Sequence, residues 1–266
     1  MQINVNGARV YAYTGSRGFD PALPTIVFVH GAAHDHSVWA LQSRYFAHHR
    51  RNVLAVDLPG HGRSGGEPPA SVEAIGEWLT ALLDVTRIEQ AALVGHSLGA
   101  LAVLEAAGRH PERVETIALL GPSVPMPVAD VLLDAAKAND HLAYELITGW
   151  SFAPGHQLGG NQQPGVWMTG IALRLMERSQ PGALYADLLA CHHYAGGIAA
   201  ANKVRCPALL ILGQRDLMAP AKNATALSAA LAGCRVVTLP DCGHSLMTEA
   251  PDAVLDALRE FLSARS

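Results

Sequence analysis

Charge is scarce in this chain. Asp, Glu, Lys and Arg make up 16% of 266 residues and the formal net charge is -4, which leaves no electrostatic footprint for a nucleic acid or an anionic membrane as partner. Cysteine is scarce as well. The four, Cys191, Cys206, Cys234 and Cys242, form no C-x-x-C pair and no zinc-like spacing. They read as free thiols of a reducing compartment. The first residues, Met1-Gln2-Ile3-Asn4-Val5-Asn6-Gly7, contain neither the basic nor the apolar stretch of a secretory signal. No apolar run approaches the roughly 18 residues that a bilayer span needs. Neither a Gly-rich dinucleotide fingerprint nor a phosphate loop is present, so no cofactor is expected. The expectation is a soluble cytoplasmic protein, monomer or homodimer.

What the chain has instead is apolar residues, 50% of the total, enough to bury one large core at a length near the upper size of a single domain. Asn6-Gly7 between Ile3–Val5 and Arg9–Thr14 predicts a hairpin. Apolar, β-branched runs predict buried strands at Thr25–Val29 and Val53–Val56, and further strands at Ala91–Gly95, Val114–Leu120, Ala208–Leu212 and Val236–Leu239. Helices are predicted between them: Ser37–His49 with Ser37 as N-cap, Ser71–Thr86 with Ser71 as N-cap, a helix from Ser97, Ala221–Leu231, and Pro251–Ala264. Continuous apolar strands alternating with helices predict an α/β fold, with a mostly parallel sheet covered on both faces. The alternation stops between Pro122 and Lys203. That interval contains helical patches (Val128–Ala138, His141–Thr148, Gly170–Arg178, Leu184–His193) and a Gly-rich loop, Gly155–Gly165. It is too long for a loop and reads as a helical insertion, 122–203, in a core made of 1–121 and 204–266.

Gly95-His96-Ser97-Leu98-Gly99 stands where a strand must turn abruptly into a helix. Glycines on either side of Ser97 relieve the crowding of such a turn. The pattern is the G-x-S-x-G elbow, which presents a serine hydroxyl over a helix N-terminus. A serine hydroxyl is a weak nucleophile and needs a base, itself oriented by a third group. In open parallel sheets such groups gather at the carboxyl ends of strands. Asp216 follows one later strand and His244 follows the next, so the chain order is Ser97, Asp216, His244, the order that accompanies an elbow of this kind. Asp241 is the nearest rival acid. The oxyanion requires two aimed donors. Leu98 N–H at the helix start is one, and the loop after the first buried strand, His30-Gly31-Ala32-Ala33, supplies the other, at Ala32 with Ala33 as alternate.

Taken together, His30-Gly31-Ala32, Asp57-Leu58-Pro59-Gly60-His61-Gly62-Arg63-Ser64, Gly95-His96-Ser97-Leu98-Gly99, Gly213-Gln214-Arg215-Asp216 and Gly243-His244 resemble the α/β-hydrolase superfamily. The likeness spans residues 20 to 264, and its nearest style is that of small bacterial esterases, enol-lactonases and cofactor-free perhydrolases. It implies about eight strands, a Ser97–His244–Asp216 triad and a helical cap formed by the insertion. It also implies structural roles for Asp57–Ser64 and for His30. Serine at the elbow, where dehalogenases and epoxide hydrolases of the superfamily carry aspartate, points to cleavage of a small to medium carboxylic ester or lactone through an acyl-enzyme. The same triad also serves C–C bond hydrolases, perhydrolases and acyltransferases, and a ligand-binding receptor on this fold is the non-enzymatic rival.

Substrate choice then falls to the insertion. Met126, Trp150, Phe152, Trp167, Met168, His192 and His193 are the expected pocket residues, lining a mostly apolar site. His34-x-His36 and His192-His193 have no carboxylate or cysteine at ligand spacing in the sequence, so no metal site is expected.

Overall fold

Four strands are buried at every position: β3 (Thr25–Val29), β4 (Asn52–Val56), β5 (Ala91–His96) and β7 (Ala208–Gly213). A strand apolar on both faces needs cover on both faces, and that requirement organises the molecule. In the computed structural model, which describes residues 1–160 and 165–263, these strands join β1 (Gln2–Val5), β2 (Ala8–Tyr13), β6 (Val114–Leu120) and β8 (Arg235–Leu239) in one sheet of order β1-β2-β4-β3-β5-β6-β7-β8. The leading hairpin is antiparallel and β2 joins β4 antiparallel; every later pairing is parallel. The sheet is the one the resemblance implied.

Alternate residues of the strands enter two separate cores. Val27, Val29, Leu54, Val56 and Leu93 pack with the helices Val72–Thr86 and Leu98–Arg109. Ile26, Phe28, Val53, Ala55 and Val94 pack with the helices Ala40–His48 and Pro251–Ser263 on the opposite face. The period of two along each strand produces this division.

Most predicted elements fall within a few residues of the observed ones. Ser71 caps its helix, accepting from Ala74 N–H at 3.2 Å. Ser37 does not cap the preceding helix. Asp35 instead caps a short 3-10 turn, His36–Trp39, accepting from Ser37 N–H at 2.8 Å, and the α-helix Ala40–His48 follows with no side-chain cap. Two short helices are not expected from the sequence: Pro154–Gln157, which overlaps the segment expected to be loop, and Leu246–Glu249, which follows His244. The remainder of that loop, 161–164, and Ala264 at the predicted end of the last helix lie outside the described residues.

Between β6 and β7 the chain forms only helices: Asp130–Lys137, Leu142–Ser151, Pro154–Gln157, Met168–Met176, Ala183–His193 and Gly197–Ala201 among the described residues. Leu132, Ile147, Met176, Leu184 and Leu188 form a third apolar cluster there, which also includes Ala33 from the loop after β3. The insertion therefore has its own small core, fastened to the loops at the carboxyl ends of the strands.

Candidate active site

Ser97 has φ 54 and ψ -119, a conformation that few residues other than glycine adopt. The neighbouring sequence makes it tolerable. A Cβ on Gly95 would overlap the Gly99 carbonyl, and one on Gly99 would lie 2.5 Å from the Val29 and His30 carbonyls. Neither position admits a side chain without moving backbone. Ser97 N–H is held by the Leu120 carbonyl at 2.9 Å. The helix begins at Leu98, whose N–H, like the first amides of any helix, has no intrahelical partner and lies at the positive end of the dipole.

The loops after β7 and β8 bring Asp216 and His244 together. His244 Nδ1 donates to Asp216 Oδ2 at 2.7 Å, and the carboxylate is fully buried. Its other oxygen accepts the Ala219 N–H at 2.7 Å. A carboxylate only accepts, so the proton of a neutral His244 is on Nδ1 and Nε2 carries the lone pair. Ser97 and His244 line the same cavity. Glycine again makes room: a Cβ on Gly121, at φ +58, would lie 3.1 Å from the His244 ring. Asp241, the rival acid, is 82% exposed and faces Arg215 at 3.6 Å.

Of the two candidate oxyanion donors after β3, Ala33 is already engaged. Its N–H donates to Asp187 Oδ2 at 2.9 Å. The Ala32 N–H has no protein partner among the described residues, and Ala32 lines the cavity with Ser97. Gly31 permits the approach, since a Cβ there would lie 3.2 Å from the Ser97 Cβ. His30 supports the loop: Nδ1–H donates to the Gly31 carbonyl at 2.8 Å while Nε2 accepts Leu58 N–H at 3.0 Å.

The insertion closes the space above Ser97, leaving a cavity of about 160 Å³. Met126 and Trp150 line it, as expected. Phe152 and Met168 line an adjoining cavity of about 170 Å³, which shares His34, His96 and Ser245 with the first. The other three expected pocket residues are elsewhere. Trp167 is 67% exposed and borders a depression beside Leu158 and Leu173, away from Ser97. His192 Nδ1 accepts the Val128 N–H at 3.2 Å, a helix-to-loop tie. His193 is exposed and stands edge-on against His192. Both histidines lie in the last turn of their helix, and neither is among the residues that line the cavity, as Leu188 and Cys191 do.

Reading by motif also missed contributors. His34 and His96 line both cavities, and their adjacency in sequence to Ala33 and Ser97 was the available signal. Burial, then the neighbouring His244, holds His34 down to about 4 and His96 well below the usual histidine range. His96 Nε2–H donates to the His244 carbonyl at 2.9 Å. The rings beside His244 are thus neutral and do not oppose a positive charge on it. Cys191 also lines the cavity, but burial pushes its thiol pKa up, so it stays protonated and does not compete as a nucleophile. Among the described residues the cavity lining includes no Lys, Arg, Asp or Glu.

His36, expected to be without carboxylate neighbours, has two, because the fold returns Asp57 from the end of β4 to meet Asp35. The three side chains present ligand-type atoms within 4.8 Å of one another. Those atoms already serve hydrogen bonds: Asp57 Oδ1 accepts from His36 N–H and faces Nδ1, both at 2.7 Å, and Asp35 Oδ1 accepts from Ser37.

Comparison with known proteins identifies the family and the fold. A model of the alpha/beta hydrolase family matches residues 26–257. The chain is 30% identical over 245 residues to the pimeloyl-[acyl-carrier protein] methyl ester esterase of Aromatoleum aromaticum, covering 86% of this chain and 94% of that one. Among solved structures, the enol-lactonase from Burkholderia xenovorans LB400 superposes with a TM-score of 0.87 at 24% identity, covering 99% of this chain and 100% of that one. An esterase from Exiguobacterium antarcticum gives 0.86 at 15% identity over 98% of each chain.

Proposed function

Because the chain belongs to the alpha/beta hydrolase family, we propose that Ser97, His244 and Asp216 are its catalytic triad and that Leu98 and Ala32 N–H form its oxyanion hole. The chain is a carboxylic ester hydrolase. The bond it cleaves belongs to a small to medium ester or lactone, and the reaction runs through an acyl-enzyme.

His244 Nε2 takes the proton of the Ser97 hydroxyl as the oxygen attacks the ester carbonyl. The two amides hold the negative charge that develops on the carbonyl oxygen. His244 passes its proton to the leaving alcohol, and water then repeats the sequence and frees the acid. Asp216 keeps the imidazole in the required tautomer and stabilises its positive form. No step calls for a metal or a cofactor. Residues 122–203 act as the cap over a core of 1–121 and 204–266. The uncharged cavity fits an uncharged acyl or alcohol group. A cytoplasmic location is consistent with four cysteines that form no disulfide.

One observation carries the reading: a serine on a left-handed elbow shares a cavity with a histidine whose far nitrogen is bonded at 2.7 Å to a fully buried carboxylate. The test is a panel of p-nitrophenyl esters of rising chain length, with lactones alongside, on the wild type and on Ser97→Ala. Turnover of p-nitrophenyl butyrate is expected to vanish in the variant. Undiminished turnover there would refute the assignment.

A further inference from the structure

Asp187 is not near any motif, and it does not line the cavity. It is nonetheless the residue of the insertion most closely tied to the oxyanion loop. It stands on the helix Ala183–His193, 1% exposed. Its Oδ2 accepts the Ala33 N–H at 2.9 Å and faces His61 Nε2 at 2.9 Å.

The partners of His61 define its charge. Nε2 faces a carboxylate and Nδ1 faces the Pro59 carbonyl at 3.0 Å. Neither partner can donate, so each ring nitrogen carries a proton and the ring is an imidazolium. Burial opposes that charge, but the attraction and hydrogen bond of Asp187 outweigh it and raise the pKa of His61. Asp57 acts in the same direction, and the neutral His30 ring lies 5.1 Å away. The result is a buried ion pair between insertion and core.

Ala33 sits at φ 53, a strained backbone for a residue with a Cβ. Its N–H goes to Asp187, and its carbonyl accepts Ser179 Oγ at 3.1 Å. Both ties come from the insertion. They orient the peptides on either side of Ala33, the first of which joins it to Ala32, whose N–H is the free donor of this loop.

We propose that Asp187, paired with His61, is a positioning residue for the oxyanion hole: by binding Ala33 N–H it holds the strained loop in the one conformation that aims Ala32 N–H at the reacting carbonyl. This rests on the assignment of Ala32 above. The insertion then shapes the pocket and also holds the catalytic backbone in register.

The test compares Asp187→Ala, Asp187→Asn and Ser97→Ala on p-nitrophenyl butyrate, with affinity for an alkyl trifluoromethyl ketone measured in parallel. That ketone forms a tetrahedral oxyanion adduct with an active serine. Asp187→Ala is expected to lower kcat by about 10²- to 10³-fold, the size of one lost oxyanion donor, with KM within about threefold. Ketone affinity should fall with kcat. Asp187→Asn keeps an oxygen for the Ala33 N–H and should restore kcat to within about tenfold of wild type. Asp187→Leu, close in volume, serves the same reading if the alanine variant does not fold. A kcat within threefold of wild type in the folded alanine or leucine variant, a rise in KM that accounts for the loss, or failure of asparagine to restore it would each overturn the proposal. Activity surviving in Ser97→Ala would instead overturn the hydrolase assignment itself, so the two failures are distinct.

Discussion

Single side chains set the chemistry. Asp216 offers one oxygen to His244 and the other to Ala219 N–H, so its position is over-determined before any substrate binds. Asp216→Asn preserves the shape but presents an N–H or a weaker acceptor to the ring, favouring the wrong tautomer. A kcat loss of about 10⁴-fold with little change in KM is expected from steady-state kinetics; a loss below tenfold would place the orienting role elsewhere. That Ser97, Asp216 and His244 would come together was legible in the sequence because each follows a strand and sits in a recognisable short motif. Trp167, His192 and His193 were misread for the complementary reason. Residue type alone does not say which face of a helix meets the cavity, and Trp167 turned to solvent while His192 bonded a loop amide.

At the scale of elements, the loops around the candidate site are held by buried carboxylates. Glu249, in the short helix Leu246–Glu249, is the second of these. Its side chain is fully buried, and its oxygens accept Gly243 N–H at 2.9 Å and Ala153 N–H at 2.8 Å and face His156 Nδ1 at 2.7 Å. It ties the peptide before His244 to the insertion, while the Ser151 carbonyl accepts His244 N–H at 2.7 Å. Glu249→Ala leaves buried amides without partners, at about 1–3 kcal/mol each. Thermal and urea unfolding should register a loss of about 2–5 kcal/mol, together with a lower kcat as His244 loses its register. An unchanged midpoint would contradict the bracing role. The sequence contained no signal for this element, since four residues between a histidine loop and a proline are too few for a helical period to appear.

Across the whole molecule, a cluster of buried histidines makes stability depend on pH. Burial first, then His61, holds His30 down to about 3, and His34 is held down to about 4; His96 is lowered in the same way. The unfolded chain binds protons at these positions near pH 6.5 and the folded one does not, so stability falls as pH drops from about 6.5 toward 4. Each such histidine contributes about 1.4 kcal/mol per pH unit. His61 runs the other way. Its raised pKa makes the Asp187 pairing complete below 6.5, and that contribution is lost as pH rises through the folded value. Melting temperatures should therefore fall between pH 7 and pH 5, more steeply than in a His30→Gln, His96→Gln double variant. Equal slopes would show that these rings do not govern the acid limb.

The strands, the two-faced and mostly parallel sheet with its antiparallel lead-in, and the candidate elbow at Ser97 could be read from the sequence alone, because they follow from short-range patterning: apolar runs and glycines where backbone must approach backbone. The order of the strands across the sheet could not. The pocket, the orienting ties of Asp187 and Glu249, and the company of Asp35 and Asp57 around His36 were decided only by the folded chain. Those features depend on which side chains distant segments bring into contact. Ala33 and Asp187, 154 residues apart, share no local pattern that would reveal their bond.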